Sequence, residues 1–262
     1  MKRRNKLALG LALLLLVQIL LSGSSVDPDF AKRQENFFDS LLPGNAAKYH
    51  LDKVEPLENS PLQGKRLLFL GSSVTYGAGG MGVSMADYIG VRDKCQVVKE
   101  AVSGTTLADT SSSSYLSRLK KNVNTAQHFD AAVVQLSTND ASQGADIGEI
   151  SSSKNPAEFK TQTTFGSLET IISYIQEKWN CPILVYTNPK FSSSTYGEMV
   201  SKLPALQKKW GIEILDLWND SEANSLSLSK RVLYMRDPIH PTQAGYLKLW
   251  TPKFEEKLYG MV

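Results

Sequence analysis

Net charge of either sign is missing from the body of this 262-residue chain. Its formal +3 comes from the extreme N-terminus, where Lys2, Arg3, Arg4 and Lys6 supply four of the 29 Lys and Arg, leaving 25 against 26 Asp and Glu. A near-neutral body offers no basic face to neutralise phosphates, which removes the electrostatic case for nucleic-acid binding. Cysteine is scarce too, limited to Cys95 and Cys181. Each precedes a run that reads as a strand, and in the usual doubly wound order those strands lie three spacings apart, about 14 Å, beyond disulfide reach. The expectation is two buried thiols. Histidine occurs three times, and His50 and His128 read as ordinary surface residues. No lysine follows the glycine cluster Gly77 to Gly82, so a phosphate loop is excluded, and no internal repeat is visible.

The four N-terminal cations precede Leu7 to Leu21, an apolar run interrupted by Gln18 and followed by Ser22-Gly23-Ser24-Ser25. This is the layout of an export signal. The uncharged span Leu7 to Val26 is twenty residues, long enough to cross a bilayer, so residues 1–26 read as a signal peptide or an N-terminal membrane anchor. The body is then secreted or extracytoplasmic, with a tether through residues 7–26 if the segment is retained. No cysteine follows the apolar run, which excludes a lipid-modified N-terminal cysteine.

Residues 27–65 form a lead-in, with helical spacing around Phe30, Phe37, Phe38 and Leu41 and an interruption at Pro43-Gly44-Asn45. From Arg66 onward strand-like runs recur: Arg66 to Leu70, Gln96 to Val98, Ala131 to Leu136, Ile183 to Tyr186 and Ile212 to Leu215. Helical patterns separate them. The clearest has Ser167 as cap and Leu168, Ile171, Ile172, Ile175 and Trp179 at three- and four-residue spacing; another places Ser84 before Met85, Tyr88 and Ile89. Strands alternating with helices predict an α/β domain over 66–262, with a mostly parallel five-stranded sheet covered on both faces.

Chemistry-bearing residues fall at the ends of these runs. The first strand empties into Gly71-Ser72-Ser73, and ligands in open α/β sheets bind outside the strands' carboxyl ends. A serine there needs a base. Asp237-Pro238-Ile239-His240-Pro241 sets a carboxylate three residues before a histidine in a stiff turn, with Thr242 able to cap the last helix. In that arrangement Asp237 holds one imidazole nitrogen and the other faces outward. Two further strand ends carry oxyanion donors: Gly104, where glycine lets a backbone N–H approach a ligand, and Asn139, with its side-chain amide.

Taken in order, Gly71-Ser72-Ser73, Gly104, Asn139 and Asp237 with His240 resemble the SGNH hydrolases, the GDSL esterase family, over about Arg66 to Val262. The resemblance implies a flavodoxin-like three-layer α/β/α sandwich and ester hydrolysis without metal or organic cofactor. It implies a catalytic triad of Ser73, Asp237 and His240, and an oxyanion hole of Ser73, Gly104 and Asn139. Two positions depart from the family pattern: Ser72 stands where an aspartate is usual and Ser137 where a glycine is usual. Either serine could be the nucleophile by spacing, and alignment of Gly71 with the family's leading glycine selects Ser73. The substrate implied is a small-molecule or glycan ester, and the loop Ala141 to Lys160 should overhang the site. Tyr76 and Tyr88 are candidates to stack on a sugar or to pack.

Rival readings share parts of this pattern. An acyltransferase uses the same acyl-enzyme, and a non-catalytic module uses the same fold. Gly77-Ala78-Gly79-Gly80-Met81-Gly82 fits the dinucleotide fingerprint with Glu100 further on, but Gly77 lies seven positions beyond Leu70, too far to make the first turn.

Overall fold

The computed structural model describes residues 35–262. The apolar run at 7–26 and Phe30 lie outside the described residues. Among those described, no helix is long and apolar enough to cross a membrane. The chain divides into Met1–Ser40 and a compact unit Leu41–Val262. In the first, residues 35–40 are helical, and the rings of Phe37 and Phe38 meet edge to face at 5.7 Å.

The compact unit is built on five strands, β1 (Arg66–Gly71), β2 (Gln96–Ala101), β3 (Ala131–Gln135), β4 (Ile183–Tyr186) and β5 (Glu213–Leu215). They pair in the order β2-β1-β3-β4-β5, and every pair is parallel. This is the flavodoxin-like order, in which the chain reverses direction of growth at β1. Between and after the strands lie α1 (Ser73–Tyr76), α2 (Met85–Arg92), α3 (Tyr115–Asn122), α4 (Thr138–Gln143), α5 (Thr164–Trp179), α6 (Ser194–Trp210), α7 (Ser221–Asn224), α8 (Leu228–Tyr234) and α9 (Gln243–Gly245). A π-helical turn, Tyr246–Trp250, then joins α9 to α10 (Thr251–Tyr259).

Alternation along the strands sorts the core into two layers. Leu68 and Leu70 of β1 pack with α3, α5 and α6, through residues such as Leu119, Ile172 and Leu203. Leu67 and Phe69 point to the other face, with Met85 and Ile89 of α2 and Trp250 and Phe254 near the C-terminus. All four β1 side chains are fully buried. Each contributes about 1.5–3 kcal/mol relative to exposure, which makes this strand a rigid platform for the turn at its carboxyl end.

Local signals place most helix starts. Ser84 caps α2, and Asp87 Oδ2 reciprocates by accepting from the Ser84 N–H at 2.8 Å. Thr242 caps α9, accepting from Gly245 N at 3.3 Å. The cap of α5 is Thr163 rather than Ser167, which lies fully buried inside the helix. The extra turn gains burial of Thr164 and Phe165 against the core. Tyr88 is a packing residue: its ring is fully buried and its hydroxyl donates to Tyr49 O at 2.6 Å. Both cysteines are free, and their strands are three positions apart in the sheet. Cys181 is buried but Cys95, at the edge strand, is only partly so. Burial raises both thiols, Cys95 to about 12 and Cys181 to about 11.

The segment from Leu41 to Lys65 packs as part of the compact unit. Asn45, in the 3₁₀ turn Pro43–Asn45, donates to Gly79 O at 2.9 Å and accepts from Gln243 N at 2.8 Å. It thereby ties the turn after α1 to the start of α9. The Gly77–Gly82 cluster follows α1 instead of opening at the end of β1, so it lacks the strand-to-helix placement of a dinucleotide site.

Candidate active site

β1 ends at Gly71 and α1 begins at Ser73, so the chain turns within one residue. Gly71 is required by close approach: a Cβ there would sit 1.8 Å from Thr75 Oγ1 and 2.8 Å from Gln135 Oε1. The buried carboxamide of Gln135 at the end of β3 holds this turn. Its Oε1 accepts from Ser72 N at 2.9 Å and from Thr75 Oγ1 at 2.8 Å. Ser73 is then the first residue of α1, where its N–H has no intrahelical partner and is left for a ligand. Behind it, Tyr246 donates to Val74 O at 2.7 Å, pinning α1 to the C-terminal helical segment.

The Asp237–His240 turn reaches the same point from the far end of the chain. Asp237 Oδ1 accepts from Ile239 N at 2.8 Å and His240 N at 2.9 Å, so the carboxylate closes its own loop. Asn188, in the loop after β4, donates to Ile239 O at 2.9 Å and fixes the loop's height. His240 Nδ1 lies 2.8 Å from Asp237 Oδ2, and His240 Nε2 lies 2.8 Å from Ser73 Oγ. A carboxylate can only accept, so Nδ1 carries the proton and Nε2 is left as the acceptor for the serine hydroxyl. Burial alone would raise the Asp237 carboxyl, but the His240 hydrogen bond and charge and the two backbone donors prevail and hold it at about 2. An imidazole between that carboxylate and a hydroxyl can withdraw the hydroxyl proton.

Gly104 and Asn139 are joined to this group indirectly. Gly104 has φ +80°, a conformation that favours glycine, and open space on the side a Cβ would occupy. Asn139 is the second residue of α4, capped by Ser137, whose hydroxyl accepts from Asn139 N and Asp140 N. The Asn139 amide donates to Thr105 O at 2.8 Å, which uses one of its two hydrogens and orients the other. Ser137 therefore supplies a cap that glycine would lack, and Ser72 is fully buried beneath the turn. The Ala141 to Lys160 segment begins inside α4, and Gln143 donates to Gly104 O at 2.9 Å. Its later part lines a cavity of about 690 Å³ that includes none of these five residues.

Three supporting residues were not visible as such in the sequence. Gln135 is one. Asp140 is another: its carboxylate accepts from Leu107 N at 2.7 Å, Ala108 N at 2.9 Å and Thr164 Oγ1 at 2.8 Å, anchoring the loop after β2. The third is Arg118 on α3, 5% exposed. It donates to Gly71 O at 2.8 Å, Thr105 Oγ1 at 3.1 Å, Ser113 O at 2.9 Å and Glu100 Oε1 at 2.7 Å. The guanidinium thus spaces the end of β1 from the loop bearing Gly104. Arg118→Met is expected to lower stability by about 1–3 kcal/mol, because it removes a donor from the buried Gly71 O and Thr105 Oγ1 and the ion-pair partner of the half-buried Glu100; a urea denaturation series reads this directly. Among the described residues no group of three His, Cys, Asp or Glu is placed to hold a metal ion.

Several solved structures share this architecture. A Lactobacillus plantarum protein is 18% identical, with 76% of this chain and 99% of that chain covered at a TM-score of 0.63. A GDSL-like lipase candidate from Bacteroides ovatus is 14% identical, with 76% and 99% covered at 0.57. An acetyl xylan esterase is 16% identical, with 74% and 99% covered at 0.50. At these identities the likeness shows the fold. No curated protein matches the sequence. The sequence does match the family model described as GDSL-like Lipase/Acylhydrolase over residues 69–248, a span that runs from β1 to the π-helical turn and includes Ser73, Gly104, Asn139, Asp237 and His240. The chain therefore belongs to the GDSL-like lipase/acylhydrolase family and is a hydrolase of ester bonds.

Proposed function

We propose that this hydrolase removes a short acyl group, such as acetyl, from a carbohydrate or cell-envelope polymer through an acyl-enzyme on Ser73. The observation that carries the reading is the unbroken hydrogen-bonded run from Asp237 through His240 to Ser73, with 2.8 Å at each step. His240 takes the Ser73 proton as the hydroxyl attacks the ester carbonyl. The tetrahedral oxyanion rests on the N–H groups of Ser73 and Gly104 and on the Asn139 amide. Collapse returns the proton from His240 to the departing alcohol, and water activated by the same imidazole releases the acid.

Two features support a glycan as the alcohol. The acetyl xylan esterase shares this architecture, and its name gives it an acetylated polysaccharide as substrate. The charged, apolar N-terminal pattern, read as an export signal or tether for domain 66–262, would place the site where envelope and extracellular polymers lie. Labelling with a fluorophosphonate, followed by peptide mass mapping, should put the adduct on Ser73. Acetyl, butyryl and longer esters then report the acyl length, with turnover falling beyond the short chains. An adduct elsewhere would overturn the mechanism, and a preference for long chains would overturn the substrate. Asn139→Ala is expected to cost about 10²- to 10³-fold in kcat on a soluble acetyl ester, the usual loss for one oxyanion donor.

A further inference from the structure

A cavity of about 480 Å³ adjoins the Asp237 turn, its lining including Asp237, Lys190, Arg231 and Arg236, with Val232 and Met235 among its apolar walls. That volume is in the range of small-ligand sites. Three cations face one carboxylate, and the carboxylate is already engaged by His240 and two backbone N–H groups. Arg236 is occupied as well: Nη1 donates to Ala78 O at 3.4 Å, and Nε lies 3.9 Å from Asp237 Oδ2. Lys190 and Arg231 differ, because among the described residues neither side chain has an ion-pair partner. The surplus is local. The body of the chain is near neutral, and the cavity of about 690 Å³ along the Asp146 to Lys160 segment sets Asp146, Glu149, Glu158, Glu169 and Glu198 against Lys160 as its one cation.

The position of this cavity bears on which half of an ester enters it. His240 must hand its proton to the departing alcohol, so the alcohol lies against the histidine, while the acyl carbonyl faces the oxyanion donors. The turn that carries His240 is also a wall of the cavity, through Asp237 and Pro238. We infer that this cavity is a leaving-group subsite for an anionic substituent, carboxylate or phosphate, on the alcohol half of the substrate, with Lys190 and Arg231 as the recognising cations. The inference rests on the proposed esterase mechanism and narrows its substrate class to acidic glycans.

The test compares kcat/KM for three acetyl esters that differ in one group: an acetylated methyl glucoside, the matching methyl glucuronoside and the matching glucoside 6-phosphate. Lys190 and Arg231 are exposed, and two exposed charge contacts predict an anionic-to-neutral ratio of about 2- to 30-fold at low ionic strength. The ratio should be expressed mainly in KM and should shrink as salt is raised to about 0.5 M. A higher rate with the uronate or with the phosphate identifies which anion the subsite takes. In Lys190→Ala/Arg231→Ala the ratio should fall to about one, whereas Lys202→Ala, a cation paired with Glu149, should leave it unchanged. A wild-type ratio near one at low salt, or a ratio that survives the double substitution, overturns the subsite. Neither result touches the esterase reading, which stands or falls on whether hydrolysis of the neutral ester requires Ser73.

Discussion

Ser73→Ala is expected to lower kcat by about 10⁶-fold, the loss seen when a serine nucleophile acting with its histidine is removed, while Ser72→Ala retains activity to within about tenfold. The two serines are adjacent, yet the turn sends them to opposite destinations. Ser73 Oγ lies 2.8 Å from His240 Nε2. Ser72 is fully buried, with its hydroxyl 3.4 Å from Gln135 Oε1, an acceptor that cannot serve as a base for catalysis at neutral pH. Removing the Ser72 hydroxyl leaves in place the stronger contact from its backbone N–H to the same oxygen, at 2.9 Å. The turn therefore keeps its aim, and the residual loss expected reflects only small displacement of Ser73. Single-turnover measurements on a soluble acetyl ester check both variants, with fluorophosphonate labelling lost in the first and kept in the second. The reverse pattern, activity in Ser73→Ala and none in Ser72→Ala, would move the nucleophile by one residue and break the link to His240.

What made this turn legible in advance was its locality. A run of apolar residues from Leu67 to Leu70 followed at once by Gly71 and two serines encodes strand, turn and exposed hydroxyl within a few positions. The Asp237–His240 pair was legible for the same reason, since its carboxylate, backbone donors and imidazole lie within four residues. Arg118 is the opposite case. An arginine on a helix reads by default as solvated, and its partners Gly71, Thr105 and Glu100 come from β1, the loop after β2 and β2 itself. Only the face shared with Tyr115 and Leu119 hinted at burial. Gln135 gave a similar hint, as the one polar residue in the run Ala131 to Leu136, without revealing that its oxygen faces the turn from Gly71 to Thr75. The α5 cap lies one turn before the position that the spacing predicts because Thr163 and Ser167 have similar capping chemistry, and packing of the intervening residues decides between them.

Asp237→Asn should preserve the fold and cut kcat by about 10⁴-fold at neutral pH, the consequence of presenting the wrong imidazole tautomer. The carboxylate accepts at both oxygens, two backbone N–H groups on Oδ1 and His240 Nδ1 on Oδ2. An asparagine keeps one acceptor for the backbone donors, which turns its NH₂ toward Nδ1. Nδ1 must then accept, the proton shifts to Nε2, and the nitrogen facing Ser73 can no longer withdraw the hydroxyl proton. Acid titration gives an independent check on the same contact. The Asp237 pKa of about 2 lies below the ordinary carboxylate value, so the stabilisation it represents is present above about pH 4 and is lost as pH falls through 2. Asparagine does not titrate, so the gap in Tm between the wild-type protein and Asp237→Asn should narrow across that window. A gap constant from about pH 6 to about pH 2 would mean that the carboxylate is not held by His240. Retention of more than a tenth of wild-type kcat at neutral pH would mean that the backbone alone orients the imidazole, with Asp237 serving the loop rather than the base.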